Sequence, residues 1–231
     1  MQTESGKVAL VAGGSGLVGA ELLRALVAGD DYRRVIAVTR RPLSFEAPRL
    51  ANRILRFDNL ESDLRGVVCD DAYCCLGTTL KEAGSPQAFR AVDYDLVLRF
   101  ARFAQAAGAK SLTVVTAAGA VPGSRNFYLR VKGEVEVALE ALRFRSLHLL
   151  QPGLLLGARK RWRTAEALGR LIMPLCNPLL LGRNERWRAI HARTVAAAMR
   201  RAAKSGRLGV NRYAWREMQV PAQIPKGPAR L

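Results

Sequence analysis

The stretch that decides the fold is Gly13-Gly14-Ser15-Gly16-Leu17-Val18-Gly19, near the start of the 231-residue chain. The apolar run Val8-Ala9-Leu10-Val11-Ala12 precedes it, and an amphipathic pattern from Leu17 to Val27 follows it. This order predicts a buried strand, a glycine turn and a helix. Because apolar runs and helical patterns continue to alternate along the chain, we expect an α/β fold built on a doubly wound parallel sheet.

Three of the four glycines in this turn each have a use in binding a dinucleotide. Gly13 lets the chain turn sharply off the strand, and Gly16 leaves room for a pyrophosphate to approach the backbone. Gly19 lets the new helix pack closely, while the N–H groups at the helix start face the phosphates. The turn therefore predicts a Rossmann nucleotide-binding domain; the alternative is a glycine-rich turn that binds nothing.

The remaining patterns predict the order of the elements. Strands are expected near 7–12, 34–39, 53–57, 70–76, 110–116 and 146–151, with a last short strand at Val210 to Tyr213. Helices are expected near 16–29, 87–107, 125–143, 164–172 and 192–204, with a helical turn near 60–65. We assign 1–220 to one NAD(P)-binding domain and 221–231 to an extended tail. Prolines and glycines interrupt the alternation over 153–190, which indicates an excursion on the substrate side of that single domain.

The residues after the second predicted strand indicate which dinucleotide is bound. NAD-specific folds place an Asp or Glu about 20 residues beyond the glycines, where it accepts from the ribose 2′-OH. Here that window holds Thr39-Arg40-Arg41 and no acid. Two guanidinium groups suit the 2′-phosphate of NADP, so Arg40 and Arg41 predict NADP(H) as the cofactor. The alternative is that both arginines are simply solvated.

The net charge of +18 is unevenly distributed along the chain. Residues 1–150 carry 20 Lys and Arg against 16 Asp and Glu, whereas residues 151–231 carry 17 against 3. Such a basic region fits an anionic ligand, a nucleic acid, an anionic membrane or protein surface, or a merely solvated face. A nucleic acid is disfavoured as the partner because no platform of stacking aromatic residues accompanies the basic residues.

Hydropathy and cysteine usage indicate a cytoplasmic protein. No apolar run reaches the roughly 18 residues of a transmembrane segment, and the polar start of the chain lacks a secretory apolar region.

The four cysteines form no CxxC pair and there are two histidines, so no metal site is predicted. Adjacent Cys74 and Cys75 should face opposite sides of a strand. Buried free thiols are favoured over redox sensors, because no basic neighbour in the sequence would activate a thiolate.

Tyr128 and Lys132 are the candidate catalytic pair. Four residues apart on a predicted helix, they share one face. An ammonium beside a phenol favours the phenolate, and such a tyrosine can exchange the proton that accompanies hydride transfer at a carbonyl carbon. Lys132 could also hold the nicotinamide ribose. The alternative is an ordinary surface pair, but this one opens the helix after the fifth predicted strand, in a chain that carries the glycine turn.

These motifs resemble the short-chain dehydrogenase/reductase superfamily in its atypical, small branch. More narrowly, they resemble the Tat-interacting (CC3-type) oxidoreductase-like proteins and their bacterial NAD(P)-binding relatives. Besides the glycine turn and the paired arginines, the resemblance rests on Cys74-Cys75-Leu76-Gly77-Thr78-Thr79, on residues 126–136 (NFYLRVKGEVE) and on Pro152-Gly153-Leu154-Leu155. It covers roughly residues 7–200.

The resemblance implies an NADP-binding Rossmann domain with Tyr128 and Lys132 as the catalytic pair, both also close to the cofactor. Asp58 would meet the adenine edge, with a solvated loop acid as the alternative. The other residues implied to bind the cofactor are Gly13, Ser15, Gly16, Leu17, Val18 and Gly19 at the pyrophosphate, Arg40 and Arg41 at the 2′-phosphate, Leu76, Gly77 and Thr78 beneath the cofactor, and Pro152, Gly153, Leu154 and Leu155 beside the nicotinamide.

One departure concerns the hydroxyl that holds the substrate carbonyl in this superfamily. The chain reads Thr116-Ala117 where relatives show paired serines at the end of the fifth strand. If the first of the pair works, Thr116 supplies the hydroxyl and completes the catalytic set. If the second works, Ala117 has none, and a donor typically worth about 10²–10³ in rate is lost. Ser124 is a candidate substitute.

The sequence therefore predicts an NADP(H)-dependent reductase or dehydrogenase acting on a small-molecule carbonyl or alcohol. The main alternative is a regulatory module that binds NADP(H) and signals its occupancy to a partner protein, with weak or no catalysis. A third interpretation assigns binding of an anionic surface or a nucleic acid to the basic carboxy-terminal third.

Overall fold

The protein, described here by a computed structural model, is built on a seven-stranded sheet. The structure describes residues 6–57, 60–157 and 182–220. The strands are β1 (Lys7–Ala12), β2 (Tyr32–Thr39), β3 (Leu50–Ile54), β4 (Asp71–Cys74), β5 (Ser111–Val115), β6 (Ser146–Leu150) and β9 (Gly209–Tyr213), with β7 (Leu155–Leu156) and β8 (Ile190–His191) in a separate parallel pair. In the large sheet the order is β3-β2-β1-β4-β5-β6-β9, and every neighbouring pair is parallel. The doubly wound parallel sheet is therefore confirmed.

Helices cover both faces of this sheet. They are α1 (Leu17–Ala28), α2 (Leu60–Asp63), α3 (Leu80–Ala83), α4 (Pro86–Arg90), α5 (Val97–Ala106), α6 (Phe127–Glu140), α7 (Ala192–Lys204) and α8 (Trp215–Gln219). A π-helical segment, Ala91–Leu96, joins α4 to α5, and a 3₁₀ helix spans Gly182–Trp187. In the described ranges we find no helix both long and apolar enough to span a membrane.

The strands divide the interior into two apolar cores because successive side chains point to opposite faces of the sheet. On β4, Ala72 and Cys74 join the core beneath α5 and α6, whereas Tyr73 joins the core beneath α1 and α7. Cys75 packs against this second core. Cys74 and Cys75 thus face opposite sides of the sheet, as the sequence predicted.

The strand order determines where a ligand can bind. From β1 the chain proceeds through β2 and β3 to one edge, then returns to β4 beside β1 and proceeds through β5 and β6 to the other edge. The crossovers after β1 and β4 therefore diverge and open a crevice at the carboxyl ends of these two strands.

Two predicted elements differ from the structure. The third strand is Leu50–Ile54 rather than 53–57, because Leu50 is paired with Val35 while Leu55 makes the last backbone bond to Thr39 and the chain then turns away. The predicted helix 87–107 contains the π-helical segment. The predicted helix 164–172 and the tail 221–231 lie outside the described residues.

Of the segment 153–190, which was predicted to form an excursion, the structure describes the two ends, 153–157 and 182–190. The short strands β7 and β8 pair Leu155 with Ile190 and Leu156 with His191. At its start, Gly157 packs against Leu17, since a methyl group at Gly157 would lie 2.6 Å from Leu17 Cδ1. Gly157 thus lies beside the start of α1.

Candidate active site

The glycine turn has a geometry that larger residues would disrupt. Gly13 has a φ of +80°, and a Cβ there would lie 2.5 Å from the carbonyl oxygen of Cys75 at the end of β4. A Cβ on Gly19 would lie 2.2 Å from the carbonyl oxygen of Gly13, so α1 packs directly onto the turn. At Gly16 the same oxygen would be 3.2 Å away. Close backbone approach therefore requires glycine at positions 13 and 19, whereas the contact at Gly16 is tight but less restrictive.

The start of α1 is arranged to receive an anion. Gly16 is the N-cap and has no side chain that could accept a hydrogen bond from the first turn of the helix. That turn also contains no acidic residue. Uncapped backbone N–H groups and the positive end of the helix dipole favour a negatively charged group at this position. A side chain at Gly16 would narrow this cradle, since its Cβ would lie 3.2 Å from the carbonyl oxygen of Gly13.

A cleft of about 160 Å³ extends from this turn across the carboxyl ends of the central strands. Its position is the crevice expected from the strand order. It is lined by Gly13, Ser15, Gly16, Val38, Thr39, Arg40, Phe57, Cys75, Leu76, Gly77, Val92 and Leu96. Leu17, Val18 and Gly19 of the predicted cofactor set form the first turn of α1 beside it.

Of the two arginines after β2, Arg40 lines the cleft and Arg41 is exposed beside it. The hydroxyl of Thr39 donates to the carbonyl oxygen of Arg41 over 2.7 Å and so fixes this bend. Within the described ranges, neither guanidinium forms a salt bridge with an acid. Asp58, assigned to the adenine edge, lies outside the described residues.

Tyr128 lies in the first turn of α6 and is not among the residues that line the cleft. Asn126 caps this helix by accepting a hydrogen bond from the N–H of Leu129 over 3.2 Å, which sets where the helix begins. The Tyr128 ring is half-buried and packs on Phe89 at 5.5 Å between ring centroids. In the part of the chain that the structure describes, the Tyr128 hydroxyl makes no hydrogen bond, so it is available to a ligand.

Lys132 lies one turn further along α6 and is buried against the end of β4. Its Nζ is 2.7 Å from Oδ1 of Asp93, whose side chain is fully buried. A Cβ on Gly77, which lines the cleft, would be 3.6 Å from this Nζ. Burial disfavours the ammonium, but the Asp93 carboxylate and the nearby Tyr128 and Cys74 groups outweigh it, so the pKa of Lys132 is raised. Lys132 is therefore charged at neutral pH.

Asp93 was not identified from the sequence, although a signal exists. Phe89, Asp93, Val97 and Phe100 follow a helical spacing, and all four are buried. A carboxylate on an otherwise apolar helix face is unfavourable unless it is paired. The second oxygen of Asp93 accepts a hydrogen bond from the backbone N–H of Thr78 over 2.8 Å. Asp93 thus links Thr78, assigned to the cofactor, with Lys132.

Thr116 is buried at the end of β5, and its hydroxyl donates to Oε1 of Glu136 over 2.5 Å. This hydroxyl is therefore engaged with α6 rather than directed into the cleft. Ala117 is also buried. Ser124 accepts a hydrogen bond from the N–H of Asn126 over 3.2 Å in the turn before α6.

Residues at both ends of the segment 153–190 lie close to the loop after β5. The carbonyl oxygen of Pro152 accepts a hydrogen bond from the N–H of Ala118 over 2.9 Å. A Cβ on Gly119 would lie 2.5 Å from the ring of Trp187, and one on Gly153 would lie 2.8 Å from the Trp187 carbonyl. The residues assigned to the nicotinamide side thus lie against Trp187, which the sequence did not single out.

The Cys74 thiol is buried in the interior of the fold. Burial raises the pKa of the Cys74 thiol to about 12, and Cys176 lies outside the described residues.

Among the described basic residues, Arg200 and Lys204 both pair with Asp31, each at 2.5 Å. Further pairs join Arg212 to Glu140 and Arg216 to Glu185. Part of the carboxy-terminal charge is therefore compensated internally.

No model of a known protein family matches the chain. Among characterised proteins, HTATIP2 of Rattus norvegicus is 36% identical over 168 residues, covering 71% of this chain and 69% of that protein. FMP52 of Saccharomyces cerevisiae is 33% identical over 172 residues, covering 72% of this chain and 73% of its own length.

Solved structures share the fold at low sequence identity. A short-chain dehydrogenase from Burkholderia cenocepacia in complex with NADP superposes with a TM-score of 0.65 at 19% identity, covering 93% of this chain and 91% of that one. MoeE5 in complex with UDP-glucose and NAD gives a TM-score of 0.67 at 18% identity, and the superposition covers 90% of this chain and 75% of MoeE5. One of these two neighbours thus binds NADP and the other binds NAD.

The relatives also correct one expectation. The cytoplasmic location predicted from the sequence is wrong on this comparison, because FMP52 of Saccharomyces cerevisiae and several further fungal relatives of that name are described as mitochondrial. The prediction rested on hydropathy and cysteine usage, which are informative about secretion and redox environment but do not distinguish the cytoplasm from other destinations.

Proposed function

This chain belongs to the atypical short-chain dehydrogenases/reductases, in the group of HTATIP2 and FMP52, and from this we propose that it is an NADP(H)-dependent oxidoreductase. Structural neighbours in complex with NAD or NADP support the assignment of a nicotinamide dinucleotide as the cofactor. The finer proposal is hydride transfer to or from a small carbonyl or alcohol substrate. Residues 1–220 would form the domain that binds the cofactor, with 153–190 as its substrate-side excursion.

The observation that carries the proposal is the contact between the cleft and the Tyr128–Lys132 helix. Gly77 lines the cleft, and Lys132 Nζ lies directly behind it, 3.6 Å from where a Cβ would be. The glycine turn at the other end of the same cleft offers the anion cradle. A dinucleotide with its pyrophosphate on α1 would therefore extend toward the catalytic pair.

The residues of the cleft would divide the binding of the cofactor. The first turn of α1 would hold the pyrophosphate, and Arg40 with Arg41 would hold the 2′-phosphate through charge-assisted hydrogen bonds. Leu76 and Gly77 would lie beneath the dinucleotide, at the end of β4. When bound, the reduced nicotinamide supplies the hydride that forms the new C–H bond at the carbonyl carbon.

Tyr128 would supply the proton that completes the reduction. Its hydroxyl donates to the carbonyl oxygen as the hydride reaches the carbon, which leaves an alcohol and a phenolate. The Lys132 ammonium favours that phenolate electrostatically until a proton from solvent restores the phenol. In the reverse direction the phenolate accepts the proton of the alcohol. Thr116 and Ser124 remain candidates for polarising the carbonyl.

Substitution of Tyr128 tests this assignment. Tyr128→Phe keeps the ring on Phe89 but removes the proton donor, so NADPH oxidation with a carbonyl substrate should fall by about 10²-fold or more. NADPH affinity should stay within a few-fold of the unsubstituted protein. Tyr94→Phe, which removes a hydroxyl from a ring that Arg90 covers at 4.3 Å, is the matched control and should leave turnover unchanged. Undiminished turnover in Tyr128→Phe would remove this residue from the mechanism.

A second candidate function is favoured by the Thr116–Glu136 hydrogen bond. Because that hydroxyl donates to Glu136 and Ala117 has none, polarisation of a substrate carbonyl would be weaker than with a free hydroxyl at this position. The protein would then bind NADP(H) and report its occupancy to a partner protein. NADPH oxidation across a broad panel of carbonyl compounds distinguishes the two, since only the enzyme shows substrate-dependent turnover.

A further inference from the structure

The buried ion pair between Lys132 and Asp93 joins two elements at the catalytic site. The two side chains are 6% and 0% exposed, and their charged atoms are 2.7 Å apart. Lys132 comes from α6, whereas Asp93 comes from the π-helical segment before α5. An ion pair removed from water to this extent is stable only if both charges are matched and held in place.

Asp93 is held from two sides. Its Oδ2 accepts from the backbone N–H of Thr78 over 2.8 Å, and its Oδ1 faces the ammonium. Gly77 closes over the pair, because a Cβ there would lie 3.3 Å from Asp93 Oδ1 and 3.6 Å from Lys132 Nζ. The carboxylate therefore connects the strand end that lines the cleft to the helix that carries Tyr128.

We propose that Asp93 is a positioning residue of the Tyr128–Lys132 site, whose carboxylate holds the ammonium against the floor of the cleft and offsets its charge. This inference rests on the proposed function. In chemical terms, Tyr128, Lys132 and Asp93 together, and not Tyr128 and Lys132 alone, determine the pH range in which the site exchanges protons.

The physical reason is the balance of charge around Tyr128. An uncompensated ammonium strongly favours the phenolate, whereas an ammonium 2.7 Å from a carboxylate does so much less. Among the described residues, the other titratable groups that act on Lys132 are Tyr128 on its own helix and Cys74 on β4. Further out, Arg90 and Glu134 pair with each other and add little net charge. Asp93 is thus the anion that offsets Lys132.

Asp93→Asn separates the two contacts of this residue. The amide oxygen can still accept from Thr78, but the negative charge facing Lys132 is gone. In ¹³C NMR titrations of the full chain labelled at lysine Cε, the Lys132 signal, assigned by its loss in Lys132→Met, should titrate at lower pH by about 1 unit or more in Asp93→Asn. Asp95→Asn changes an exposed acid on the same segment and should leave this titration unchanged. An unaltered Lys132 titration in Asp93→Asn would overturn the inference.

The pH profile of alcohol oxidation separates positioning from a merely structural role. With Lys132 no longer offset, the midpoint at which activity rises should move to lower pH by about 1 unit in Asp93→Asn. A loss of kcat at an unmoved midpoint would show that Asp93 only maintains the fold. If the unsubstituted chain has no turnover at any pH, the proposed catalysis fails, while the NMR titration still decides the coupling between Asp93 and Lys132.

A folding measurement covers the case in which Asp93→Asn is unstable. Each single variant, Asp93→Asn or Lys132→Met, leaves one buried group without its partner, so removing both should restore part of the lost melting temperature. Additive losses in the double variant would contradict the pairing.

Discussion

The hydroxyl of Thr116 donates a 2.5 Å hydrogen bond to Oε1 of Glu136, and Gln151 donates to both oxygens of the same carboxylate at 2.9 Å. Thr116 and Glu136 are 5% and 3% exposed. A buried carboxylate requires such donors, because its desolvation is otherwise uncompensated. The hydroxyl at the end of β5 therefore connects β5 to α6.

This arrangement predicts a stability effect at Thr116. Thr116→Val removes a donor from the buried Glu136 carboxylate and should lower the free energy of unfolding by about 1–3 kcal/mol, measured by urea denaturation. Thr113 is the matched control on the same strand, since its buried hydroxyl has no hydrogen-bond partner within the described ranges. Thr113→Val should be neutral or stabilising. Equal losses in the two variants would contradict a special role for the Thr116–Glu136 bond.

A second prediction concerns the close packing of α1 on the glycine turn. Gly19→Ala places a methyl group 2.2 Å from the carbonyl oxygen of Gly13 and should destabilise the fold by roughly 1–3 kcal/mol. Dinucleotide affinity should fall as well, because the cradle at Gly16 is displaced. Gly123→Ala is the control, since a Cβ there meets open space. Unchanged melting temperature and affinity in Gly19→Ala would show that the turn is less tightly packed than the structure indicates.

The paired arginines give a prediction about cofactor choice. Replacing Arg40 and Arg41 together by alanine should reduce the binding free energy of NADPH by about 1.5–3 kcal/mol, because charge-assisted hydrogen bonds to the 2′-phosphate are lost. NADH has no such group and should bind with nearly unchanged affinity. Arg34→Ala, at an exposed position earlier on β2, serves as the control. Equal weakening of both dinucleotides would show that these arginines do not recognise the 2′-phosphate.

His148 provides a prediction about acid stability. Burial, aided by the positive charge of Arg207, lowers the pKa of His148 from 6.5 to about 4. As the pH falls below 6.5, the unfolded chain binds a proton at this residue that the folded protein accepts only near pH 4. Stability should therefore decrease across this window.

Thermal melts between pH 7 and pH 4 test the effect. The melting temperature of the unsubstituted chain should fall by several degrees, and this fall should be smaller in His148→Gln. His191→Gln changes an exposed histidine and should retain the full decrease. If both variants behave alike, acid sensitivity arises elsewhere.

The elements predicted best from the sequence are those whose burial is uniform. β1 has a nearly continuous apolar pattern because both of its faces are covered, and the glycine turn adds a constraint that a single sequence reveals. β3 was misplaced because this edge strand is only partly buried, so its apolar pattern is weak. Local patterns thus locate the central strands but not the edge.

The candidate site shows the same limit. The helical spacing of Tyr128 and Lys132 is a local property and could be read from the chain. The partner of Lys132 could not, because Asp93 approaches it from a separate helix and only the fold brings them together. For Thr116 as well, the hydrogen bond to Glu136 depends on how α6 lies against β5 and on no sequence pattern.

Calorimetric titration of the full chain with NADPH and with NADH tests the central claim most directly. The account predicts saturable uptake of one dinucleotide per chain, tighter for NADPH than for NADH, since the uncapped start of α1 takes the pyrophosphate and the two arginines take the 2′-phosphate. Absence of heat from either dinucleotide up to millimolar concentrations would contradict it.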